Sequence, residues 1–544
     1  VRLSALALDY DGTIARSDRL EPAVRDAIGD ARTRGITVLL VTGRTLRELG
    51  RVAGDLHFVD CVVAENGAVL HFPQSEHTSI LAPVIPEAFV ARLRARGLDV
   101  TPGQCLVDGS ATDAPAVLDV IRAMELPLVL LFNRGRVMTM SQGVSKATGL
   151  RSALETLRLS PRNTVAIGDA ENDHALLQLA EVGVAVEWGS AVLKAAADVV
   201  LPGRGPEAVA DYVRQLAVSG RLPVPPKARR RLRLGYTEDG REFSLAVRGR
   251  NILVAGDAKS GKSWVAGLLA EQLILHGYSM CVIDPEGDYR SLEALPGVTL
   301  LGGEEPPPTP RELLKALRFP DRSVVIDLSR LPHDEKLNHS RAILSALHST
   351  RRRTGLPHRV LVDEAHYFLH DAAAEHLLDL DINGYIVVTY CASRLPRELL
   401  DATEVMLVTC ESNPQEIEKL YACCSANRGE DTRPAWSSLA HVSPGQAIAL
   451  PVTEEAGGSL RMFTIGRRLT PHVRHRQKYA DVPVSENRAF LFAGDDGPPR
   501  PVRTLRQFVG ALEQAPHAVF EGYLRRGDFS QWIADVFGDY ALAE

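Results

Sequence analysis

Leu3-Ser4-Ala5-Leu6-Ala7-Leu8-Asp9-Tyr10-Asp11-Gly12-Thr13 decides how the first part of the chain is read. Leu3 to Leu8 is an apolar run of strand length, and the Gly-Thr pair after it marks a turn. Asp9 and Asp11 lie two apart where strand meets turn, which projects both carboxylates toward the mouth of a parallel sheet. Outward from this strand come a helix around Glu21–Arg34, a strand at Thr37–Val41, a helix around Leu46–Gly54 and a strand at Cys61–Ala64. Such alternation predicts an α/β fold of parallel strands wound with crossover helices.

Between about Leu81 and Met140 the pattern shortens to a helix (Glu87–Arg96), a weak strand, a helix (Ala114–Met124) and strands Leu128–Phe132 and Arg136–Met140. That insert reads as a small α/β cap. The parallel pattern resumes with a helix at Lys146–Leu157 and a strand at Thr164–Gly168. Near Ser219–Lys227 proline density and the charge run from Lys227 to Arg233 predict a solvated linker, with nucleic-acid contact as the alternative. A β-hairpin, Arg233–Tyr236 with Glu242–Val247, then enters a second α/β unit. Its strands are read at Asn251–Ala255, Met280–Ile283, Ser323–Leu328, Val360–Val362, Tyr385–Val388 and Val405–Thr409.

The expected division is 1–218 with the cap at about 81–140, a Pro/Arg-rich linker at 219–232, the second unit at 233–480 and a small, mainly helical module at 481–544. That module carries a strand-like Ala489–Ala493 and helices at Thr504–Gln514, at His517–Arg525 and from an Asp528 N-cap. Its aromatics, Phe490, Phe492, Phe508, Phe520, Tyr523, Phe529 and Trp532, are read as a packed core.

At 544 residues the chain needs several cores, and 45% hydrophobic with 24% charged residues supplies them. A net charge of -6 provides no global attraction to nucleic acid or anionic membrane. Seven scattered cysteines without Cys-x-x-Cys spacing predict reduced thiols. No signal-like or membrane-spanning run is read, so the expectation is a cytoplasmic protein without membrane contact.

Further acids and bases follow the first motif on loops after later strands: Thr42 in Leu39-Leu-Val-Thr-Gly-Arg44, Lys146 after the cap, and Gly168-Asp169-Ala-Glu-Asn172-Asp173. Carboxylate oxygens without Cys or His suit a hard cation such as Mg2+. The pattern resembles the haloacid dehalogenase (HAD) phosphatases over about residues 1–215. The resemblance implies that Asp9 attacks phosphorus, Asp11 protonates the leaving group and then activates water, Thr42 holds the phosphoryl oxygens and Lys146 neutralises charge. It also implies Mg2+ on Asp9, Asp169 and the Asp11 carbonyl, with Asp173 and Asn172 in or behind that shell. The cap's position and Glu65-Asn66-Gly67-Ala68 point to the type IIB branch with Cof-like, phosphoglycolate and sucrose phosphatases, hence to a small phosphorylated metabolite.

Gly256-Asp257-Ala258-Lys259-Ser260-Gly261-Lys262-Ser263 follows a strand and opens a helix, the context of a phosphate-binding loop for ATP. Lys262 reaches the β- and γ-phosphates and Ser263 the magnesium. Leu361-Val362-Asp363-Glu364-Ala365-His366 is an apolar strand ending in an acid pair, with Asp363 toward the metal and Glu364 toward an attacking water. The residues Ile283-Asp-Pro-Glu-Gly-Asp-Tyr289, Val325-Ile-Asp-Leu-Ser329 and Val388-Thr389-Tyr390 make Arg233–Leu450 resemble the HerA/FtsK group of P-loop ATPases. That resemblance implies Thr389 beside the nucleotide, a homo-oligomeric ring, often a hexamer, and nucleic acid as a candidate partner. Tyr390 stands where the group often has glutamine. Arg351, Arg352, Arg353, Arg394 and Arg397 are candidate trans arginine fingers.

Together these readings describe a bifunctional hydrolase, a Mg2+-dependent phosphomonoesterase fused to an ATP-hydrolysing unit that assembles into a ring or regulates the phosphatase. Two alternatives stand beside it. One is a nucleotide-dependent switch or scaffold with phosphatase turnover alone. The other is an end-processing enzyme similar to polynucleotide kinase-phosphatases.

Overall fold

The structure is a computed structural model that describes residues 1–133, 135–225, 228–247, 249–370, 377–425, 436–451, 459–471, 484, 488–492, 499–515 and 517–537. The expected boundary at 480–481 and Ala493 lie outside the described residues.

β1 (Ala5–Asp9) leads through α1 (Pro22–Thr33) to β2 (Thr37–Val41), and α2 (Leu46–Ala53) leads to β3 (Cys61–Ala64). β4 (Val69–Phe72) and β5 (His77–Ile80) extend the sheet antiparallel. The chain then leaves the sheet to build the cap from α3 (Glu87–Ala95), β6 (Thr101–Pro102), β7 (Leu106–Ser110), α4 (Ala114–Ala123), β8 (Leu128–Asn133) and β9 (Arg136–Ser141). It returns through α5 (Lys146–Leu157), β10 (Thr164–Gly168), α6 (His174–Leu179), β11 (Val182–Val186), α7 (Ala191–Ala196), β12 (Val199–Leu201) and α8 (Pro206–Ser219). The resulting eight-stranded order is β12-β11-β10-β1-β2-β3-β4-β5, and the cap is a separate antiparallel sheet, β8-β9-β7-β6. The cap has its own core, in which Phe89 and Leu93 of α3 meet Val117, Val120 and Ile121 of α4 over Val107.

Strand periodicity positions the first site. Leu6 and Leu8 enter the core on one face of β1, while Ala5 and Ala7 enter the core on the face covered by Leu150, Ala153 and Leu154 of α5. Asp9, in the same phase as the two alanines, belongs to the α5 side. Alanine at both positions removes bulk between strand and helix.

The second sheet begins with the hairpin β13 (Arg231–Thr237) and β14 (Glu242–Ala246), followed by β15 (Ile252–Ala255), α9 (Lys262–Leu275), β16 (Met280–Asp284) and β17 (Val298–Gly302). Then come α10 (Pro310–Ala316), β18 (Ser323–Asp327), α11 (His333–Thr354), β19 (Arg359–Val362), β20 (Tyr385–Thr389), α12 (Arg397–Asp401), β21 (Val405–Val408) and α13 (Pro414–Ser425). β22 (Gln446–Ala449) and β23 (Arg461–Ile465) close it. The eleven-stranded order is β14-β13-β23-β22-β21-β15-β20-β19-β16-β18-β17, with β21 to β17 parallel. Strand β15, bearing the glycine-rich loop, is central and apolar on both faces, as a doubly covered parallel strand requires. β24 (Phe490–Phe492) pairs with β25 (Arg500–Val502), an unforeseen strand, and α14 (Leu505–Gln514), α15 (His517–Arg526) and α16 (Asp528–Phe537) follow. The aromatics expected to form a core do so: Phe490, Phe492, Phe508, Phe529 and Trp532 are buried together. Asp528 opens the third helix as its first residue rather than preceding it. Among the described residues no helix is long and apolar enough to cross a membrane.

Two arginines of the basic run differ from the expected solvated linker, while Arg231 and Arg233 are exposed as expected. Arg229 pairs with Asp198 at 2.5 Å, and Arg230 donates to the carbonyls of Gln178 and Ala180 at 3.0 Å each and to Glu181. Glu181 in turn accepts from Tyr278 Oη at 2.9 and 3.0 Å, Arg162 donates to the His276 carbonyl at 3.1 Å, and Arg2 reaches the Arg352 carbonyl. Residues near the N-terminal ends of strands in both sheets thus meet across a polar, largely desolvated seam. Removing Glu181 leaves Arg162, Arg230 and the Tyr278 hydroxyl without their shared acceptor. Glu181→Ala is expected to weaken the seam by about 2 kcal/mol, between the values of surface and fully buried pairs, and to speed proteolytic cutting within 219–232. Unchanged cutting would refute the clamp.

Candidate functional site

The first site sits at the C-terminal ends of β1, β2 and β10. Lys146 donates to Asp9 Oδ1 at 2.5 Å and to Asp173 Oδ1 at 2.7 Å, with all three side chains at most 3% exposed. Thr13 donates to Asp9 Oδ2 at 3.0 Å and lies 3.4 Å from Asp169 Oδ1. Asp173 Oδ2 accepts from the backbone amides of Asp169 and Ala170 at 3.0 and 3.1 Å, which fixes its second oxygen toward Lys146. Carboxylate oxygens of Asp9, Asp169 and Asp173 all lie within 4.8 Å of one another. Burial, and then the Asp173 charge, push the Asp9 carboxyl up to about 7, with Lys146 working against that rise. Three buried acids against one ammonium form an oxygen-only set whose surplus charge fits a divalent cation such as Mg2+.

Two glycines set the distance from α5 to the strand ends. Gly67 has φ 104°, and a Cβ there would lie 2.0 Å from the Ser145 carbonyl oxygen. A Cβ on Gly149 would lie 2.4 Å from Gly67 Cα and 2.6 Å from Val63 Cγ1. Ser145 caps α5 by accepting from the Thr148 amide, so Lys146 begins the helix at the point of closest approach. Glu65, before the first of these glycines, accepts from the Gln104 and Cys105 amides at 2.9 and 2.7 Å and ties the core loop to the cap.

Asp11 stands apart from the buried cluster. Arg44 Nε donates to both Asp11 oxygens at 2.9 Å, and Nη2 to Oδ1 at 2.6 Å, while Asp18 pairs with the same guanidinium. Thr42 is buried, and its hydroxyl accepts from the Arg44 amide at 3.1 Å. Asn172, Arg44 and the cap residues Leu106, Asp108, Asn133, Arg136 and Met138 line a cavity of about 540 Å3 with Asp9, Asp11 and Lys146. The sequence pattern assigns no role to Thr13 or Arg44. The i+4 offset of Thr13 from Asp9 was the available signal for one of them.

The second site forms at the C-terminal ends of β15, β16, β19 and β20. Gly256 has φ 140°, and a Cβ there would lie 2.3 Å from Thr409 Oγ1. Gly261, at φ 105°, opens α9. Lys262 Nζ donates to the Asp257 carbonyl at 2.7 Å, and Ser263 Oγ donates to Asp288 Oδ2 at 2.5 Å. Asp363 and Glu364 are fully buried at the end of β19, with Glu364 in a left-handed conformation at φ 46°. Thr389 ends β20, where its hydroxyl shares a hydrogen bond with His366 Nδ1 at 3.0 Å and accepts from the Cys391 amide. Asp288 and His366 were not foreseen as members.

Of the arginine-finger candidates, Arg351 is overturned. It is 1% exposed, donates to the carbonyls of Pro357 and Asn383 at 3.1 and 2.8 Å, and packs over Tyr385, so it is a structural clamp. Arg352 pairs with Asp379. Arg353, Arg394 and Arg397 are exposed.

The family described as haloacid dehalogenase-like hydrolase matches residues 6–94 and 129–213. The family described as Helicase HerA, central domain, matches 246–352. Phosphoglycolate phosphatase of Methanopyrus kandleri is 32% identical over 228 residues, covering 39% of this chain and 97% of that protein. The proteins of the same name from Natronomonas pharaonis and Halorubrum lacusprofundi are 30% and 33% identical, over 36% of this chain and 91% and 89% of their own lengths.

Gly149→Ala must push α5 away from Gly67. The expected loss is about 2 kcal/mol, as for an overpacked core, read as a lower melting temperature. A variant that melts like the parent would refute the close-approach argument.

Proposed function

The chain belongs, through residues 6–94 and 129–213, to the haloacid dehalogenase-like hydrolases and joins such a phosphatase domain to a HerA-like domain; from there we propose a bifunctional hydrolase, a Mg2+-dependent phosphomonoesterase with an ATP-hydrolysing partner domain. The observation that carries the first half is Lys146 held between Asp9 and Asp173. In this reading Asp9 Oδ2 or Oδ1 attacks phosphorus, the ester P–O bond breaks, and Asp11 delivers a proton to the leaving oxygen. Water then attacks the aspartyl-phosphate, gives its proton to Asp11 and returns Asp9 as a carboxylate. Lys146 offsets the charge that gathers around Asp9 and the phosphoryl group, Thr42 donates to the phosphoryl oxygens, and Arg44, which occupies both Asp11 oxygens here, would have to release one for Asp11 to carry the proton. Asp9, Asp169, Asp173 and the Asp11 carbonyl would hold the Mg2+, which supplies positive charge to the phosphoryl oxygens.

The substrate is a small phosphorylated metabolite. The name shared by the curated relatives makes 2-phosphoglycolate the first to test, and Leu106 and Met138 give the cavity apolar wall beside its charged floor. In the second domain Gly256 and Gly261 admit the phosphates, Lys262 pairs with them, Ser263 and Asp363 serve the magnesium, and Thr389 lies beside the nucleotide. Glu364 polarises water, which favours hydrolysis over transfer to an acceptor and so stands against the kinase-phosphatase alternative. Arg353, Arg394 and Arg397 are the fingers to test in a ring of identical chains, for which nucleic acid is a candidate cargo. The units are assigned to about 1–218 and 233–480, with an accessory module at 481–544. Seven free thiols suit the reducing cytoplasm.

Asp9→Asn is expected to lower kcat on 2-phosphoglycolate and on p-nitrophenyl phosphate by about 10³-fold or more, the scale of losing a nucleophile. Chelation should abolish the same activity and Mg2+ restore it. Turnover by Asp9→Asn at the parental rate would exclude the mechanism. For the second domain, Lys262→Ala should weaken ATP binding at least about tenfold, and Glu364→Gln should keep binding while slowing hydrolysis about 100-fold. Full ATP turnover in either variant would exclude that half.

A further inference from the structure

Glu65 is a buried carboxylate for which the phosphatase chemistry has no use. It is 3% exposed, and its two oxygens accept from the backbone amides of Gln104 and Cys105 at 2.9 and 2.7 Å. Both amides belong to the cap, in the turn between β6 and β7, whereas Glu65 itself follows β3 of the core sheet. The backbone of the same turn serves the catalytic loop: the Glu65 amide donates to the Arg44 carbonyl at 2.9 Å and the Asn66 amide to the Thr42 carbonyl at 3.0 Å. Glu65 and Asn66 have φ of 50° and 54°, two successive left-handed residues that are not glycine. Such a pair is strained and persists only where the surroundings fix it. On the cap side Gly103 leaves room for the carboxylate, since a Cβ there would lie 2.7 Å from Glu65 Cδ and from Oε1.

We infer that Glu65 is a positioning residue which latches the cap to the loop carrying Thr42 and Arg44, and so sets the height of the cap wall above Asp9 and Lys146. The inference rests on the phosphatase reading and adds to it the group that holds the substrate-facing wall in place. Leu106 follows Cys105 directly, and β7 pairs with β9 through Leu106 with Met140 and Asp108 with Met138. Holding Gln104 and Cys105 therefore holds Leu106, Asp108 and Met138, which line the cavity. Met140 is reached a second time from the same turn, its Sδ lying 3.6 Å from Asn66 Nδ2. The turn divides its contacts by atom type. Its backbone amides fix the catalytic loop, and the carboxylate fixes the cap. A carboxylate suits the second task because it offers an acceptor to each of two amides, whereas a glutamine offers one and turns an N–H toward the other donor.

The test uses the full chain with Mg2+, p-nitrophenyl phosphate as substrate and inorganic phosphate as inhibitor. The phosphate ion meets the floor of the site alone, whereas the nitrophenyl ring also meets the cap wall. Glu65→Gly, which suits the left-handed backbone, and Glu65→Gln should each raise KM for p-nitrophenyl phosphate about fivefold or more, with kcat and the inhibition constant of phosphate within about twofold of the parent. Amide hydrogen exchange in a peptide spanning Gln104 and Cys105 should quicken about tenfold. Gly103→Ala approaches the latch from the cap: its Cβ displaces the carboxylate and should reproduce the KM change with residue 65 intact. Combined with Glu65→Gly it should cost no more than Glu65→Gly alone, because glycine at 65 leaves room for the new methyl group. If Glu65→Gly and Gly103→Ala both keep the parental KM and exchange, or if their effects add, the latch is wrong although the phosphatase reading stands. Loss of kcat and of phosphate binding together would mark a collapsed floor and equally overturn the latch. A parent chain that releases no p-nitrophenol overturns the phosphatase reading and the positioning role with it.

Discussion

A single buried ammonium organises the N-terminal half of the molecule. Lys146 can stay charged in a nearly dry site because Asp9 and Asp173 both accept from it, and those acids tolerate burial through Lys146 together with Thr13 and the Asp169 and Ala170 amides. The geometry is demanding, since β1, α5 and the loop after β10 must converge within hydrogen-bond distance. Ala5 and Ala7 thin the strand face, Gly67 and Gly149 let the helix approach, and Ser145 starts the helix one residue before the lysine. None of these residues has a chemical role of its own. They set the position at which the chemistry becomes feasible.

The second site is built on the opposite principle. Its glycine-rich loop is stabilised by satisfying its own polar groups: Lys262 on the Asp257 carbonyl, Ser263 on Asp288, and the Asp257 amide on the Cys410 carbonyl at 2.7 Å. A ligand must compete with these internal partners for the same donors. The first site is preassembled around excess negative charge and is poised for a cation. The second is held in a self-satisfied arrangement, so a bound phosphate can change the positions of neighbours as well as fill a space.

The fold class was legible because parallel sheets write themselves as apolar runs between helices, and β1, β15 and β19 are such runs. Asp9, Thr42, Asp169, Asp363 and Thr389 were readable because each falls at or just beyond the end of an apolar strand, and Lys146, Lys262 and Ser263 because they open helices, whereas Thr13, Arg44, Asp288 and His366 carried no such mark. What escaped was non-local. The strand β17 was not foreseen, and β22 and β23 owe their place to antiparallel pairing with distant partners. Arg351 reads as one of three consecutive candidate finger arginines, yet it turns inward onto the carbonyls of Pro357, Ile382 and Asn383. Arg229 and Arg230 read as linker charge because their acceptors, the Asp198 and Glu181 carboxylates and the carbonyls of Gln178 and Ala180, lie some thirty to fifty residues away in sequence.

The seam fixes a further consequence. Asn163, Glu181 and Ser4 precede strands of the first sheet, and Tyr278 and Ser279 precede β16, so the two sheets meet through the ends at which their parallel strands begin. Asp9, Thr42 and Asp169 lie at the ends where strands of the first sheet finish, as do Gly256, Asp363 and Thr389 in the second. The two mouths therefore open away from the seam. A ligand at the second site lies away from the capped cavity, and the two sites are joined through the seam, where the Glu181 cluster, Arg2 with Arg352 and Ser4 with Thr354 make contacts. That cluster is an ion-pair network with fixed partners and little apolar packing, which resists sliding because each shift breaks several charge-assisted bonds at once. A joint of that kind transmits rigid-body orientation better than it transmits a local rearrangement. What the seam fixes is therefore the orientation of the two domains, with the capped cavity and the glycine-rich loop at the ends away from it.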